Sequence, residues 1–391
     1  MKRTHTLDLY LMLFIFFLVP ISTTDGLSIN YLFAFFPMIY FIMTKKNFKD
    51  PTMVFKILIL LAVLIFALAF LYQDNFYQYA YRRLISFFLF MSIFLYCFIE
   101  YNNNLLQSFK YAIVQFSVLC TIYMFYLFYL FQTGYVEGVD LKDFVGTQRI
   151  GFIFVFAFWI ACSLSYEKHG LRKYMFMLFV IIISIGILLT FSRSSIVALS
   201  SSLLIFLVDS ILRKKVTISK IVTFLKLLFL IFVILILFNI FLEPIVDRFI
   251  ALFFGHNIVE EAQNSDASAG IRFIIWSKIL DFVANNPLTG SGFLGVWTIY
   301  TDIGSSHNQY MDILLRTGVV YFFIFILVLI NLVYFLYKYE RYMFYGFMGF
   351  IIYGLFHETF KESQGAFVLA FLFGWMAQMI RKNRNFRRCN E

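Results

Sequence analysis

One histidine and a set of arginines carry the chemistry open to this chain. His307 stands before Asn308, where a long polar excursion runs back into an apolar segment. Neutral imidazole accepts a proton from an attacking hydroxyl, and neighbouring cations favour that neutral form. A lone histidine is also common as a structural residue, so the position alone leaves both roles open. Arg193 sits in Phe191-Ser-Arg-Ser-Ser195, a hinge of almost no length between two apolar runs. An arginine at a helix N-terminus favours a phosphate, because free N–H groups and the guanidinium attract the same anion. The same serines read as a capped hairpin turn. As a hydrolase nucleophile they lack the GxSxG elbow.

Other patterns are less telling. Gly290-Ser-Gly292-Phe-Leu-Gly295 matches GxGxxG, but neither the buried strand nor the helix of a βαβ unit flanks it. It reads instead as a flexible turn after a helix stop at Pro287, letting His307 fold back over the membrane mouth. His357-Glu358 opens the last polar loop, as an auxiliary acid/base pair or a plain interfacial pair. Cys97, Cys120, Cys162 and Cys389 have no metal-site spacing and outline no disulfide framework. With no HExxH and no carboxylate cluster, neither a metal nor another cofactor is expected.

The elements that must position these residues are membrane spans. The chain is 62% hydrophobic and 14% charged, which excludes a soluble globular protein. Its apolar runs are near 20 residues long and do not alternate, so they are helices rather than barrel strands. The expected fold is an all-α polytopic membrane protein with about twelve spans. They lie at 7–23, 27–43, 53–71, 84–100, 110–131, 151–166, 174–191, 194–209, 221–242, 317–337, 342–357 and 364–380. The first reads as an uncleaved helix, since no small-x-small cleavage site follows it. Residues 1–391 form a single transmembrane domain, with no internal repeat.

An even number of spans puts both termini on one side. Both are basic, which places them in the cytoplasm. The loops then carry 20 Lys and Arg inside, Lys110 among them, and 10 outside. That census puts the long loop 243–316 on the outer face. It explains the net charge of +10 by topology rather than nucleic-acid binding. Seven of the ten outer cations are Arg, against eight of the twenty inner ones. Arginine is the residue of planar, bidentate phosphate contact. Arg82, Arg83, Arg149, Arg193 and Arg316 lie at or beside outer span ends, where an anionic lipid head group would sit. Within the loop, residues 270–285 predict an amphipathic helix through Ile271, Ile274, Ile275, Ile279 and Phe282. Asp266 or Ser268 would cap it, and Asn285-Asn286-Pro287 would stop it. Asn308–Leu315 would lead helically into the tenth span.

The ordered motifs resemble those of the O-antigen ligase and polymerase superfamily, the Wzy- and WaaL-like membrane glycosyltransferases. They are T-x-SR-S-S (Thr190, Ser192, Arg193, Ser194, Ser195), R-x3-W (Arg272, Trp276) and P-L-x-G-x-G (Pro287, Leu288, Gly290, Gly292). After these comes H-N-x-Y-x3-L-x3-G (His307, Asn308, Tyr310, Leu314, Gly318). The resemblance covers mainly residues 145–320. It departs where Ser-Ser follows Ser-Arg, a place the family often fills with glycine. It implies a GT-C-like, metal-independent glycosyl transfer in the bacterial inner membrane, with the site on the periplasmic face. The donor would be an oligosaccharide on undecaprenyl pyrophosphate. The acceptor would be a sugar hydroxyl, on another lipid-linked repeat unit for a polymerase or on lipid A-core for a ligase. Membrane lipids and a chain-length regulator would be its partners. Arg193 and Arg272 would hold the pyrophosphate and His307 would help activate the acceptor. Arg149, in GTQRIG, resembles a further family arginine, and Asn308 and Tyr310 are substrate-binding candidates through the His307 motif. Arg82, Arg83 and Arg316 join them through their span-end positions. A flippase or transporter is the rival of another class, but it would show repeated halves and charges near the midplane.

Overall fold

The structure, a computed structural model, describes residues 93–94, 97–98, 103–133, 150–213, 269–300, 305–360 and 363–388. Among these the chain is all-helical, without strands. The helices are α1 (Asn103–Gln132), α2 (Gly151–Glu167), α3 (Leu171–Leu189), α4 (Arg193–Leu212) and α5 (Ala269–Asn285). A 3-10 turn (Gly292–Thr298) precedes α6 (Gln309–Tyr339), α7 (Arg341–Tyr353) and α8 (Ser363–Arg388). Four of them, α1, α3, α4 and α6, are long and apolar enough to cross a membrane, and α2 is a shorter apolar helix. The spans expected at 7–23, 27–43, 53–71 and 221–242 lie outside the described residues, as does most of 84–100.

Helix α2 is the centre of the bundle. It is apolar all round, and a helix of that kind is stable only when enclosed. It packs on α1, α3, α4 and α7. Phe152, Phe154, Phe156 and Ile160 are all fully buried. The Phe109 and Phe371 rings stack 3.7 Å apart, joining α1 to α8. The outer surface is apolar as well: Phe323, Leu327 and Ile330 of α6 and Leu204 of α4 all point outward. Apolar residues inside and outside together suit a lipid surround.

Two polar clusters mark the ends of the bundle. At one end Lys110, completely buried, reaches Glu167 at 3.1 Å and Glu340 at 3.0 Å. This corrects its expected place in a loop: α1 begins at Asn103, seven residues earlier, and carries Lys110 inside the bundle. The charge is tolerated there because two carboxylates neutralise it. Nearby, Asp209 accepts bonds from Tyr337 (3.0 Å), Tyr345 (2.6 Å) and Arg213 Nε (2.8 Å). The other cluster lies at the start of α2, roughly 25 Å away along a helix rising 1.5 Å per residue. It holds the candidate site.

Candidate functional site

The hairpin between α3 and α4 presents Arg193. Helix α3 ends at Leu189, and Phe191, buried and in the left-handed region (φ 48°), reverses the chain. Thr190 Oγ1 donates to the Ile187 carbonyl at 2.7 Å and lies 3.1 Å from Ser195 Oγ. Ser192 occupies the cap position of α4, but its hydroxyl makes no cap bond. It stands instead 3.4 Å from Tyr353 Oη, so the capped-turn expectation holds for the backbone and fails for the side chain. The exposed Arg193 is therefore the first residue of a helix whose leading N–H groups have no side-chain cap.

Helix α5 presents Arg272. Ile275, Ile279 and Val283 bury one face against Val296 and Leu315, making a second apolar cluster separate from the membrane core. Ile274, expected on that face, is exposed. Arg272 and Trp276 are one turn apart, so they leave the helix on the same side. Trp276 Nε1 donates to the Ser306 carbonyl at 2.9 Å. That bond brings the Arg272 turn beside the His307 segment and gives the R-x3-W spacing a physical reason. Arg272 is half-buried, and its Nε is enclosed without a hydrogen-bond partner. Burial, and after it the positive charge of Arg193, lower the pKa of its guanidinium from the ordinary value. Two arginines from different elements thus share one electrostatic neighbourhood. Among the described residues neither forms an ion pair, whereas Lys110, Arg213 and Arg316 all do.

His307 is held in the left-handed region (φ 52°) and is half-buried. Its N–H donates to Ser305 Oγ at 3.1 Å. The buried Ser306 before it meets Glu358, a buried carboxylate in the turn after α7, through both its N–H and its hydroxyl. Asn308 after it is the N-cap of α6: its Oδ1 accepts from the N–H of Tyr310 (2.9 Å) and of Met311 (3.1 Å). Tyr310 Oη donates to the Ile351 carbonyl at 2.9 Å, and Gln309 N–H donates to the Gly354 carbonyl at 2.7 Å. Arg316 Nε donates to Asp312 Oδ2 at 2.8 Å. The structure thus places Asn308, Tyr310 and Arg316 at the edge of the site, each with a bond inside the protein. Arg82, Arg83 and Arg149 lie outside the described residues.

The glycine pattern has a mechanical role. Gly290 (φ 57°) and Gly318 (φ 71°) let two backbones touch. Ser291 N–H donates to the Leu315 carbonyl and Val319 N–H to the Pro287 carbonyl, each at 2.7 Å. A Cβ on Gly318 would come within 2.5 Å of the Pro287 oxygen. The turn is a bracket that docks α5 on a kink in α6, and Gly295 lies against the Arg316 guanidinium. The sequence offers Gly290 as a flexible turn and Gly318 as the last position of the His307 motif; that the two meet is set by the fold.

Sequence reading gave no special place to Ser306, Gln309 and Tyr353, and it weighed Glu358 only together with His357. Their signal is weak: a buried polar residue is identified by its partner, and the partners are 52 residues apart for Ser306 and Glu358, 51 for Gln309 and Phe360 and 161 for Tyr353 and Ser192. Tyr353 joins the two halves of the site, standing near Ser192 and stacking on His357 with ring centroids 4.9 Å apart. Among the described residues no three His, Cys, Asp or Glu side chains gather as a metal-ligand set.

One comparison with known proteins gives a match. Residues 178–326 match a family model described as O-Antigen ligase. That stretch runs from α3 into α6 and takes in Arg193, Arg272, the glycine bracket, His307 and Arg316. No curated protein and no solved structure matches the chain. Over residues 178–326, which are 149 of its 391 residues, the chain is similar to the O-antigen ligase family.

Proposed function

We propose that the protein is a polymerase of O-antigen or a related surface polysaccharide. It moves a glycan from undecaprenyl pyrophosphate to a sugar hydroxyl of another lipid-linked repeat unit, on the outer face of the inner membrane. The observation that carries this reading is the pair Arg193 and Arg272, two cations in one electrostatic neighbourhood, neither in an ion pair among the described residues. Like charges that share one electrostatic neighbourhood suit a site for a strong anion. In the reaction the bond between the anomeric carbon and the pyrophosphate oxygen breaks, and the electron pair leaves with the pyrophosphate. The two guanidinium groups stabilise that growing charge. The acceptor oxygen bonds to the anomeric carbon, and its proton passes to His307 as general base. Pyrophosphate is already a good leaving group, so no acid need protonate it. Asn308, Tyr310 and Arg316 border the acceptor side, and Arg82, Arg83 and Arg149 serve the lipid-linked donor. The fold is a twelve-span, GT-C-like bundle with both termini in the cytoplasm. The two polar ends, one carrying Lys110, Arg213, Lys338 and Arg341 and the other the site, support that orientation.

The ligase reading, with lipid A-core as acceptor, is favoured by the description of the matched family model. Lipopolysaccharide banding in a strain lacking the chain separates the two. Core plus a single repeat unit indicates the polymerase, and bare core the ligase. His307→Ala and Arg272→Ala are each expected to abolish long glycan chains at unchanged expression. Normal ladders in both variants would sink the site.

A further inference from the structure

We infer that Glu358 is a positioning residue for His307, acting through Ser306; this rests on the glycosyl-transfer reading above. His307, a non-glycine residue at φ 52°, is held in the strained left-handed region, which persists only where the neighbours are fixed. Both neighbours of His307 are fixed. Ser306 is gripped from two elements: Glu358 Oε1 takes its N–H and lies 2.8 Å from its hydroxyl, while Trp276 of α5 donates to its carbonyl. Asn308 and Gln309 are held by the cap of α6 and by the Gly354 carbonyl. Gln309 Oε1 also accepts the Phe360 N–H at 2.6 Å, so residues 351–360 form a cradle along residues 306–310.

Within that cradle Glu358 brings a carboxylate to the His307 segment. It is buried, at 6% exposure, its Oε1 is taken by Ser306, and Arg316 is within its electrostatic reach. Ser306, completely buried, supplies two donors to it. Without the carboxylate, the Ser306 N–H would lose its partner in a buried place. The segment would then relax toward extended backbone, and the His307 ring would swing away from the acceptor. The contact that matters is the reach of Oε1 to Ser306, not the exchange of a proton by Glu358.

Reach and charge can be separated. Glu358→Gln keeps an oxygen acceptor at the same distance and removes the charge. Glu358→Asp keeps the charge and draws it back by one methylene. The test uses the full-length protein in detergent, acting on lipid-linked repeat units extracted from a strain deleted for this chain. Glu358→Ala is expected to lower kcat about a hundredfold, the cost of a misplacement near 1 Å, with KM for the lipid-linked donor little changed. Glu358→Gln should retain most of the kcat and Glu358→Asp should lose more of it. Wild-type kcat in Glu358→Asp, or Gln no better than Asp, overturns the inference. The Gln and Asp variants carry the test even where the Ala variant does not fold. His307→Ala measured alongside separates the two readings. If it is active, the glycosyl-transfer site itself is misassigned. If it is inactive while Glu358→Asp and Glu358→Ala match wild type, only the role of Glu358 falls.

Discussion

Arg272 shows how much one side chain implies about its partner. Its guanidinium is half-buried, with an enclosed Nε and another arginine as its electrostatic neighbour. Among the described residues nothing compensates that charge. Arg272→Ala is therefore expected to melt no lower than wild type in detergent, a result that a purely structural arginine would not give. Its catalytic cost should be large, about 2–4 kcal/mol of barrier by analogy with a lost oxyanion donor, read as kcat/KM for the lipid-linked donor. Arg272→Lys keeps the charge but not the two-pronged fork, so its activity should fall between the two. Inorganic pyrophosphate should raise the melting temperature of wild type by preferential binding to the folded state, and should do so less in Arg272→Ala. An equal rise in both would detach the arginine from the anion.

At the scale of elements, the site depends on how α5 meets α6. Periodicity revealed α5 within a residue of its true start, and Pro287 its stop. It misjudged the buried face, because Ile274 and Ile275 are both apolar and only packing against Val296 and Leu315 decides between them. Gly318 was legible as a motif residue but its kink was not, because the conformation is set from across the joint, where the Pro287 carbonyl takes the Val319 N–H. The serines of the α3–α4 hinge suggested caps, yet Tyr353, 161 residues from Ser192, took that hydroxyl. The bracket can be tested by two similar substitutions. Gly292 has positive φ (63°) with open space around a Cβ, whereas Gly318 has positive φ and a backbone oxygen in the way. Gly292→Ala should cost about 1–2 kcal/mol from the left-handed conformation alone. Gly318→Ala should cost more and lower activity as well, because the bracket sets the α5–α6 joint that carries Arg316 and Trp276. Thermal unfolding of both in detergent checks the ranking, and equal melting temperatures would remove the bracket from the account.

Over the whole molecule, the apolar runs were legible because length and hydropathy are local properties, and α1 to α4 fall where the spans were marked, within a turn or two. Lys110 was not legible. Counting charges placed it in a loop, as a topology signal at the start of an apolar run. The pairing that buries it lies 57 residues away at Glu167 and 230 away at Glu340, beyond any local pattern. The triad ties α1, α2 and the α6–α7 junction together at the end opposite the site, so it should govern stability rather than chemistry. Removing the cation alone leaves two carboxylates facing each other, each only partly solvated, with 34% and 23% of their side chains exposed. Breaking a buried pair in this way costs about 3–5 kcal/mol, and the partial exposure puts this case toward the lower end. Lys110→Met should thus lower the melting temperature clearly, yet leave KM for the lipid-linked donor unchanged in the protein that remains folded. Neutralising the carboxylates too, as Lys110→Met with Glu167→Gln and Glu340→Gln, should recover most of the loss, because the cost comes from uncompensated charge rather than from a missing contact. A triple variant as unstable as Lys110→Met would show instead that the bonds of Lys110, and not its charge, hold the three helices together.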